Sequence, residues 1–337
     1  MNIDFPHRQF AHCESGVTAN LLNYYGLPCS EALAFGIGGG LFFAYVPFVK
    51  INFLPLTTFR IEPGSIFKKT TKRLGVKVGR QQFKDPRAAE QELDRLLASG
   101  CPVGAQTGVF WLPYFPPAYR FHFNAHNLVV YGKEGDEYLI SDPIFEEPVR
   151  CAARDLRKAR FAKGALAPKG KLYYFEKMPE RFEVAQAAVA GIKDACWAML
   201  KIPLPLVGVR GIRLLARQLA NWPVKLGEKD ALQHLGHVVR MQEEIGTGGG
   251  GFRLLYAAFL QEAAELLQNR QLIELSERCT AVGDHWREFA VAASRVCKGR
   301  QAGPNAFREL AELLRHCAGQ EEALFTDLHR AVSGKTR

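Results

Sequence analysis

The chain has 337 residues, 47% of them hydrophobic and 23% charged, so it can bury a sizeable core and is long enough for two domains. Its eight cysteines include no C-x-x-C pair, so neither a disulfide framework nor a zinc site is expected. The net charge of +10 is spread over both halves and outside any nucleic-acid-binding motif, which argues against a nucleic-acid partner.

The first predicted helix begins at Cys13. VTANLLNYYG places Val17 and Leu21 at helical spacing and stops at Gly26. With Cys13 as the N-cap, unpaired backbone amides and the positive end of the helix dipole face its sulfur and favour the thiolate. Cys13 is therefore the candidate nucleophile, whereas the other cysteines are expected to be small buried hydrophobic residues.

The 18 residues between Glu31 and Lys50 carry no charge, which is about the shortest length that spans a membrane. Four glycines and Pro47 make a poor helix, so we predict a buried loop or groove wall and no membrane span. GIGGG lacks the flanking residues of a phosphate-binding loop, which favours a packing role. Because the N-terminus also lacks the layout of a signal peptide, we expect a cytoplasmic protein.

Two clusters of basic residues indicate either a solvated surface or a docking site for an acidic partner. One cluster runs from Lys68 to Arg80, and the other runs from Arg150 to Lys171.

A helix from Pro86 to Ser99 and four strands follow, and together they predict an α+β domain. The strands are CPVGAQTG, RFHFNAHNLVVYG, EYLISDP and KLYYFEKM. A three-residue loop at Lys133-Glu134-Gly135 between the second and third strands would place His126 directly opposite Asp142. A thiolate needs a base, and the base needs an acceptor that orients it, so Cys13, His126 and Asp142 form a candidate catalytic set.

A metal site is not expected. His122 and His126 would meet on a helix, but on a strand they stand about 13 Å apart. No cofactor is expected either.

From Pro179 onward the composition shifts to alanine, leucine, glutamate and arginine, and helical periodicity replaces the strand pattern. The clearest helices are FRLLYAAFLQEAAELLQ and Asn305 to Val332. We predict an α+β domain over residues 1–178 and an all-helical domain over residues 179–337.

The segment from FPHRQFAHCES to the glycine-rich stretch, with NAHNLVVYG and SDP, resembles the N-terminal domain of the butirosin-biosynthesis acyltransferase family. That family is related to papain-like and bacteriocin-processing cysteine peptidases. The helical half, with GTGGGGFRLLYAAFLQEAA, resembles the helical domain of unknown function that often follows it.

This resemblance implies a papain-like fold and a ping-pong acyl transfer in secondary metabolite biosynthesis. Cys13 would accept an acyl group from an acyl-carrier-protein thioester and pass it to an amine, with His126 as base and Asp142 as its orienter. Papain-like peptidases carry an oxyanion-hole glutamine six residues before the nucleophile. This chain has His7 there and Gln9 four residues before Cys13, so both are oxyanion-hole candidates.

Several aromatic residues could line an apolar channel for the acyl group, although core packing is the alternative for each of them. They are Phe42, Phe43, Tyr45, Trp111, Tyr114 and Phe115.

The same catalytic set would also serve a peptidase, amidase or thioesterase, in which water replaces the amine. A binding protein on a peptidase-like scaffold is the alternative outside catalysis. The sequence identifies neither the acyl group nor the acceptor, and it leaves the role of the helical half and the oligomeric state open.

Overall fold

A computed structural model describes residues 3–51, 53–300 and 303–334. The chain divides into two compact units. The first contains the residues up to Ala34 together with Ile66–Glu183, and the second contains Phe35–Ser65 together with the residues from Val184 onward. The sequence suggests a single domain boundary near residue 178. The two units differ from that prediction, because residues 35–65 belong to the unit that contains the C-terminal half.

The first unit is built on a six-stranded antiparallel sheet with the order β3-β8-β4-β5-β6-β7. The predicted α+β class is confirmed. Its strands are β3 (Lys77–Gln81), β4 (Val103–Thr107), β5 (His126–Glu134), β6 (Glu137–Ser141), β7 (Val149–Ala152) and β8 (Leu172–Lys177).

The helices of this unit cover the sheet, and α1 packs against β5. Asp85 caps α4 by accepting hydrogen bonds from the amides of Arg87 and Ala88, and leucines of α4 enter a core shared with β4 and β5. The helices are α1 (Cys13–Tyr24), α3 (Ser65–Arg73), α4 (Pro86–Ala98) and α5 (Ala153–Arg160), together with the first turn of α2 (Glu31–Ile37).

The second unit is mainly helical. Its described residues from Val184 onward form helices, apart from one isolated β-bridge between Val207 and Ala44, which confirms the predicted helical C-terminal half. A hairpin of β1 (Leu41–Ile51) and β2 (Leu54–Arg60) completes the unit. Within the described residues, no helix is long and apolar enough to cross a membrane. The helices are α6 (Val184–Leu200), α7 (Gly208–Leu219), α8 (Trp222–Leu226), α9 (Glu228–Glu243), α10 (Arg253–Leu267), α11 (Gln271–Cys297) and α12 (Pro304–Ser333).

The uncharged segment after Glu31 is not the predicted buried loop, because it forms α2 and then most of β1. Its glycines do serve packing. A Cβ on Gly36 would stand 2.0 Å from the ring of Phe259, so only glycine fits against that ring.

A buried ion pair lies in the core of the second unit. Nε and Nη2 of Arg253 donate hydrogen bonds to the Glu321 carboxylate, at 2.8 and 3.0 Å. Neither side chain is more than 1% exposed. The indole of Trp286 donates to the same carboxylate at 2.6 Å, and Arg253 also donates to the carbonyl of Gly251 at 2.7 Å. Each guanidinium nitrogen and each carboxylate oxygen thus has a hydrogen-bond partner, which is the condition under which a buried pair is tolerated.

We expect Glu321→Gln to lower the free energy of unfolding by about 3–5 kcal/mol, because it leaves the Arg253 charge buried without its counterion. Urea denaturation followed by circular dichroism measures the change. The matched control is Glu322→Gln at the next position, whose exposed pair with Arg213 is worth less than about 1 kcal/mol. Equal effects of the two substitutions would contradict this interpretation.

Candidate functional site

The side chain that caps α1 is His12, not Cys13 as the sequence suggests. Nδ1 of His12 accepts a hydrogen bond from the amide of Ser15, and Cys13 is the first residue of the helix. The Cys13 sulfur therefore still lies in the first turn, where backbone amides have no partner within the helix. Cys13 is 7% exposed, so it lies at the margin of the core.

His126 and Asp142 meet, although the predicted strand register is wrong. Glu134 pairs with Glu137, which leaves a two-residue loop and a register that by itself would turn Asp142 to the other face. A bulge at Tyr131 shifts the register once more and restores the shared face. His126 and Asp142 are consequently diagonal neighbours rather than directly opposed residues.

The imidazole of His126 joins the other two candidate residues. Its Nε2 lies 2.7 Å from Oδ2 of Asp142, which leaves Nδ1 for the hydrogen bond with Cys13. Burial alone lowers the pKa of His126, but the charge of Asp142 and the hydrogen bonds to Asp142 and Cys13 outweigh it and raise the pKa to about 10. These interactions favour the imidazolium form, whose positive charge lies beside the sulfur.

Asp142 is fixed by two further donors. The hydroxyl of Tyr114 donates to Oδ2 at 3.0 Å, and the amide of Ile144 donates to Oδ1 at 3.2 Å. The ring of Phe115 meets the ring of His126 edge to face, with centroids 5.4 Å apart. Tyr114 and Phe115, predicted to line an acyl channel, thus contact the catalytic candidates and restrict their rotamers.

The two oxyanion-hole candidates hold the loop after Asp142. His7 contacts the hydroxyl of Ser141 through Nδ1 at 2.7 Å and two carbonyls of that loop through Nε2, so neither ring nitrogen remains for an oxyanion. The amide nitrogen of Gln9 donates to the carbonyl of Ile144 at 3.2 Å, and its second N–H remains.

Three of the predicted channel residues lie on β1, in the second unit. Phe43 is fully buried against Phe59 and Trp286, and Tyr45 packs on Trp222, so both are core residues there, while Phe42 is half-buried. The fourth, Trp111, is 39% exposed in the first unit, at a surface depression of about 380 Å³.

The ring of His122 stacks on Phe110, with centroids 4.2 Å apart. Among the described residues, no group of three histidine, cysteine or acidic side chains is arranged to hold a metal ion.

Glu31, a buried acid at the start of α2, is a further residue of the site that the sequence does not predict. Its carboxylate accepts hydrogen bonds from the amides of Ala11 and His12, at 3.0 and 2.6 Å, and from the hydroxyl of Ser15 at 3.1 Å. Burial raises the pKa of Glu31, and these hydrogen bonds partly offset the rise. Glu31 thus fixes the backbone before Cys13 and the side chain of Ser15 after it. The only sequence signal was an acid at the edge of an uncharged stretch.

We expect Cys13 to be the thiol that iodoacetamide modifies first. Burial raises the pKa of four other cysteines, Cys151, Cys196, Cys279 and Cys317, to about 12. Asp142 favours the charged form of His126, and this positive charge beside the sulfur favours attack by the Cys13 thiol. Cys297 is exposed and serves as the control, and its labelling should rise with pH because burial raises its pKa.

His126→Ala should slow the labelling of Cys13 roughly tenfold, because it removes the imidazole that is hydrogen-bonded to the thiol. Peptide mass spectrometry after brief labelling gives both rates. An inert Cys13 in wild-type protein with a reactive Cys297 would refute the assignment.

Glu31→Gln should also slow the labelling of Cys13 and lower the free energy of unfolding by about 1–3 kcal/mol. The NH2 group of glutamine is a hydrogen-bond donor, so it cannot accept the hydrogen bonds that the amides of Ala11 and His12 donate to the carboxylate. The control is Glu176→Gln, which removes an exposed ion pair with Lys77 in the same unit. Labelling as fast as in wild type would contradict a positioning role for Glu31.

Comparison with known proteins gives two family matches. Residues 12–143 match the family described as butirosin biosynthesis protein H, N-terminal, and residues 154–328, about half of the chain, match the domain of unknown function DUF4872. The second match begins within α5, so its start differs from the boundary between the two units.

The curated proteins contain no match to this chain. Among solved structures, a protein described as a C39-like peptidase from Bacillus anthracis is similar, with 17% sequence identity and a TM-score of 0.37 over 52% of this chain and 96% of that chain. The chain thus belongs to the DUF4872 family, and the segment before that domain matches the family described as butirosin biosynthesis protein H, N-terminal.

Proposed function

We propose that the chain is a cysteine-dependent acyltransferase that moves an acyl group from an acyl-carrier-protein thioester to an amine. The observation that supports it best is the buried His126, which is hydrogen-bonded to both Cys13 and Asp142 and has a pKa raised to about 10. An imidazolium held beside a sulfur favours the thiolate, which is the reactive nucleophile.

In the first half-reaction, the Cys13 thiolate attacks the carbonyl carbon of the donor thioester and forms a new C–S bond. The bond between that carbon and the carrier's sulfur breaks, and the His126 imidazolium gives its proton to the departing carrier thiolate. The products are S-acyl Cys13, a neutral imidazole and the free thiol of the carrier.

In the second half-reaction, the neutral imidazole accepts a proton from the amine as the amine nitrogen attacks the S-acyl carbon. The C–S bond to Cys13 breaks and an amide leaves. The thiolate and imidazolium are restored, and Asp142 keeps the ring oriented throughout.

The oxyanion formed in both steps needs hydrogen-bond donors. The backbone amide of Cys13 is one, since a first-turn amide has no acceptor within its helix. We propose the remaining N–H of the Gln9 side chain as the other, because His7 has both ring nitrogens engaged.

The placement in biosynthesis is part of the same proposal. It is supported by the family match at residues 12–143, whose description refers to butirosin biosynthesis. The donor, the amine and a role in secondary metabolism follow from the resemblance to that family. A peptidase or thioesterase would use the same three residues with water as acceptor.

The test uses an acyl-carrier-protein thioester without amine, followed by intact-protein mass measurement. We expect an S-acyl mass shift in wild type, none in Cys13→Ala, and formation slowed by up to about 10⁴-fold in Asp142→Asn, whose imidazole is misoriented. The control is Asp136→Asn, an exposed residue in the loop between β5 and β6. Added amine should discharge the adduct as an amide.

The other outcomes separate the alternatives. Rapid release of free acid without amine would identify a hydrolase. No adduct, with the Cys13 thiol verified as reduced, would refute catalysis and favour a binding protein.

A further inference from the structure

Three arginines project from one side of α7. Val209, Ile212 and other apolar residues of this helix are buried, whereas Arg210, Arg213 and Arg217 are exposed on its other face. The helix packs against α12, which contributes the exposed Arg315. These four side chains and Pro205 line a cavity of about 530 Å³ in the second unit.

Only part of this charge is neutralised within the chain. Arg213 pairs with Glu322 at 2.6 Å, and Arg315 pairs with Glu312. Among the described residues, Arg210 and Arg217 have no acidic partner. The cavity between α7 and α12 is therefore a concave surface with excess positive charge.

The spacing of the arginines matches an extended anionic surface. Arg210 and Arg217 are seven residues apart, which is two helical turns or about 10 Å. One phosphate group cannot contact both ends of such a row. Carboxylates on successive turns of an acidic helix can, and each guanidinium can bind a carboxylate through two parallel hydrogen bonds.

We propose that the four-arginine cavity of α7 and α12 is the docking surface for an acidic face of the acyl carrier protein. The identity of the partner rests on the proposed function, and the acidic character of the docked surface rests on the cavity itself. This role would give the helical unit a part in binding the acyl donor.

The first experiment measures binding of holo acyl carrier protein, which carries no acyl group, to the full chain by biolayer interferometry. The charge-reversed pair Arg210→Glu and Arg217→Glu should weaken binding about tenfold or more, because like charges then face each other. Wild-type binding should weaken as salt rises from about 50 to about 300 mM. The control pair is Arg287→Glu and Arg295→Glu, two exposed arginines eight residues apart on α11.

The second experiment compares acylation of Cys13 by an acyl carrier protein with acylation by the same acyl group on N-acetylcysteamine. The ratio of the two rates should fall about tenfold in the charge-reversed pair and stay near the wild-type value in the control pair. An equal loss with both donors would indicate a structural defect and overturn the inference.

The two experiments separate failure of the docking surface from failure of the chemistry. Carrier binding that is absent in wild type, or equal in wild type and the charge-reversed pair, overturns the docking proposal even if Cys13 is acylated. Charge-sensitive binding without acylation supports docking and refutes the transferase. Stabilisation by pyrophosphate that disappears in the charge-reversed pair, together with unaffected carrier binding, would identify a small-anion site instead.

Discussion

The candidate site depends on how closely α1 can approach the segment that follows β6. The amide of Phe10 donates to the carbonyl of Pro143 at 2.6 Å, which draws the start of the helix onto the residue next to Asp142. A Cβ on Gly16 would stand 2.7 Å from the Cβ of Pro143 and 2.9 Å from that of Phe10, so a side chain there would push the helix away. The missing side chain at this position is what lets the sulfur and the carboxylate reach the same imidazole.

Two sets of hydrogen bonds hold the chain around the start of this helix. Glu31 holds the backbone before Cys13, and the loop after Asp142 is held by His7 and Gln9. Asp142 in turn accepts from Tyr114 and from a backbone amide. Such hydrogen bonds stabilise the fold most when every polar group has a partner. The reason is that the free-energy cost of one unpaired buried group exceeds the net stabilisation from one hydrogen bond. The residues flanking the three candidates therefore matter as much for geometry as for chemistry.

The sequence predicts the long helices, because their apolar periodicity sets the buried face wherever the helix lies. It predicts correctly that His126 and Asp142 share a face, but the predicted loop is one residue too long. A bulge at Tyr131 compensates for this difference and restores the shared face. Bulges depend on tertiary packing and leave little trace in one sequence. The β1–β2 hairpin is missed because an uncharged run with glycines fits a loop, a strand or a buried helix equally well. Glu31 is missed because its partners are backbone amides, which every residue has.

The β1–β2 hairpin also has a consequence for the order in which the chain can fold. Residues 35–65 leave the ribosome early, yet Phe43 and Phe59 are buried against Trp286, which is made more than two hundred residues later. The apolar surface of the hairpin therefore stays exposed until Trp286 has been synthesised. The residues of the first unit precede and follow the hairpin in the sequence, so that unit can assemble earlier. The two units of this chain therefore cannot fold as consecutive segments during synthesis. We expect a chaperone that binds unfolded chains to bind the exposed hairpin.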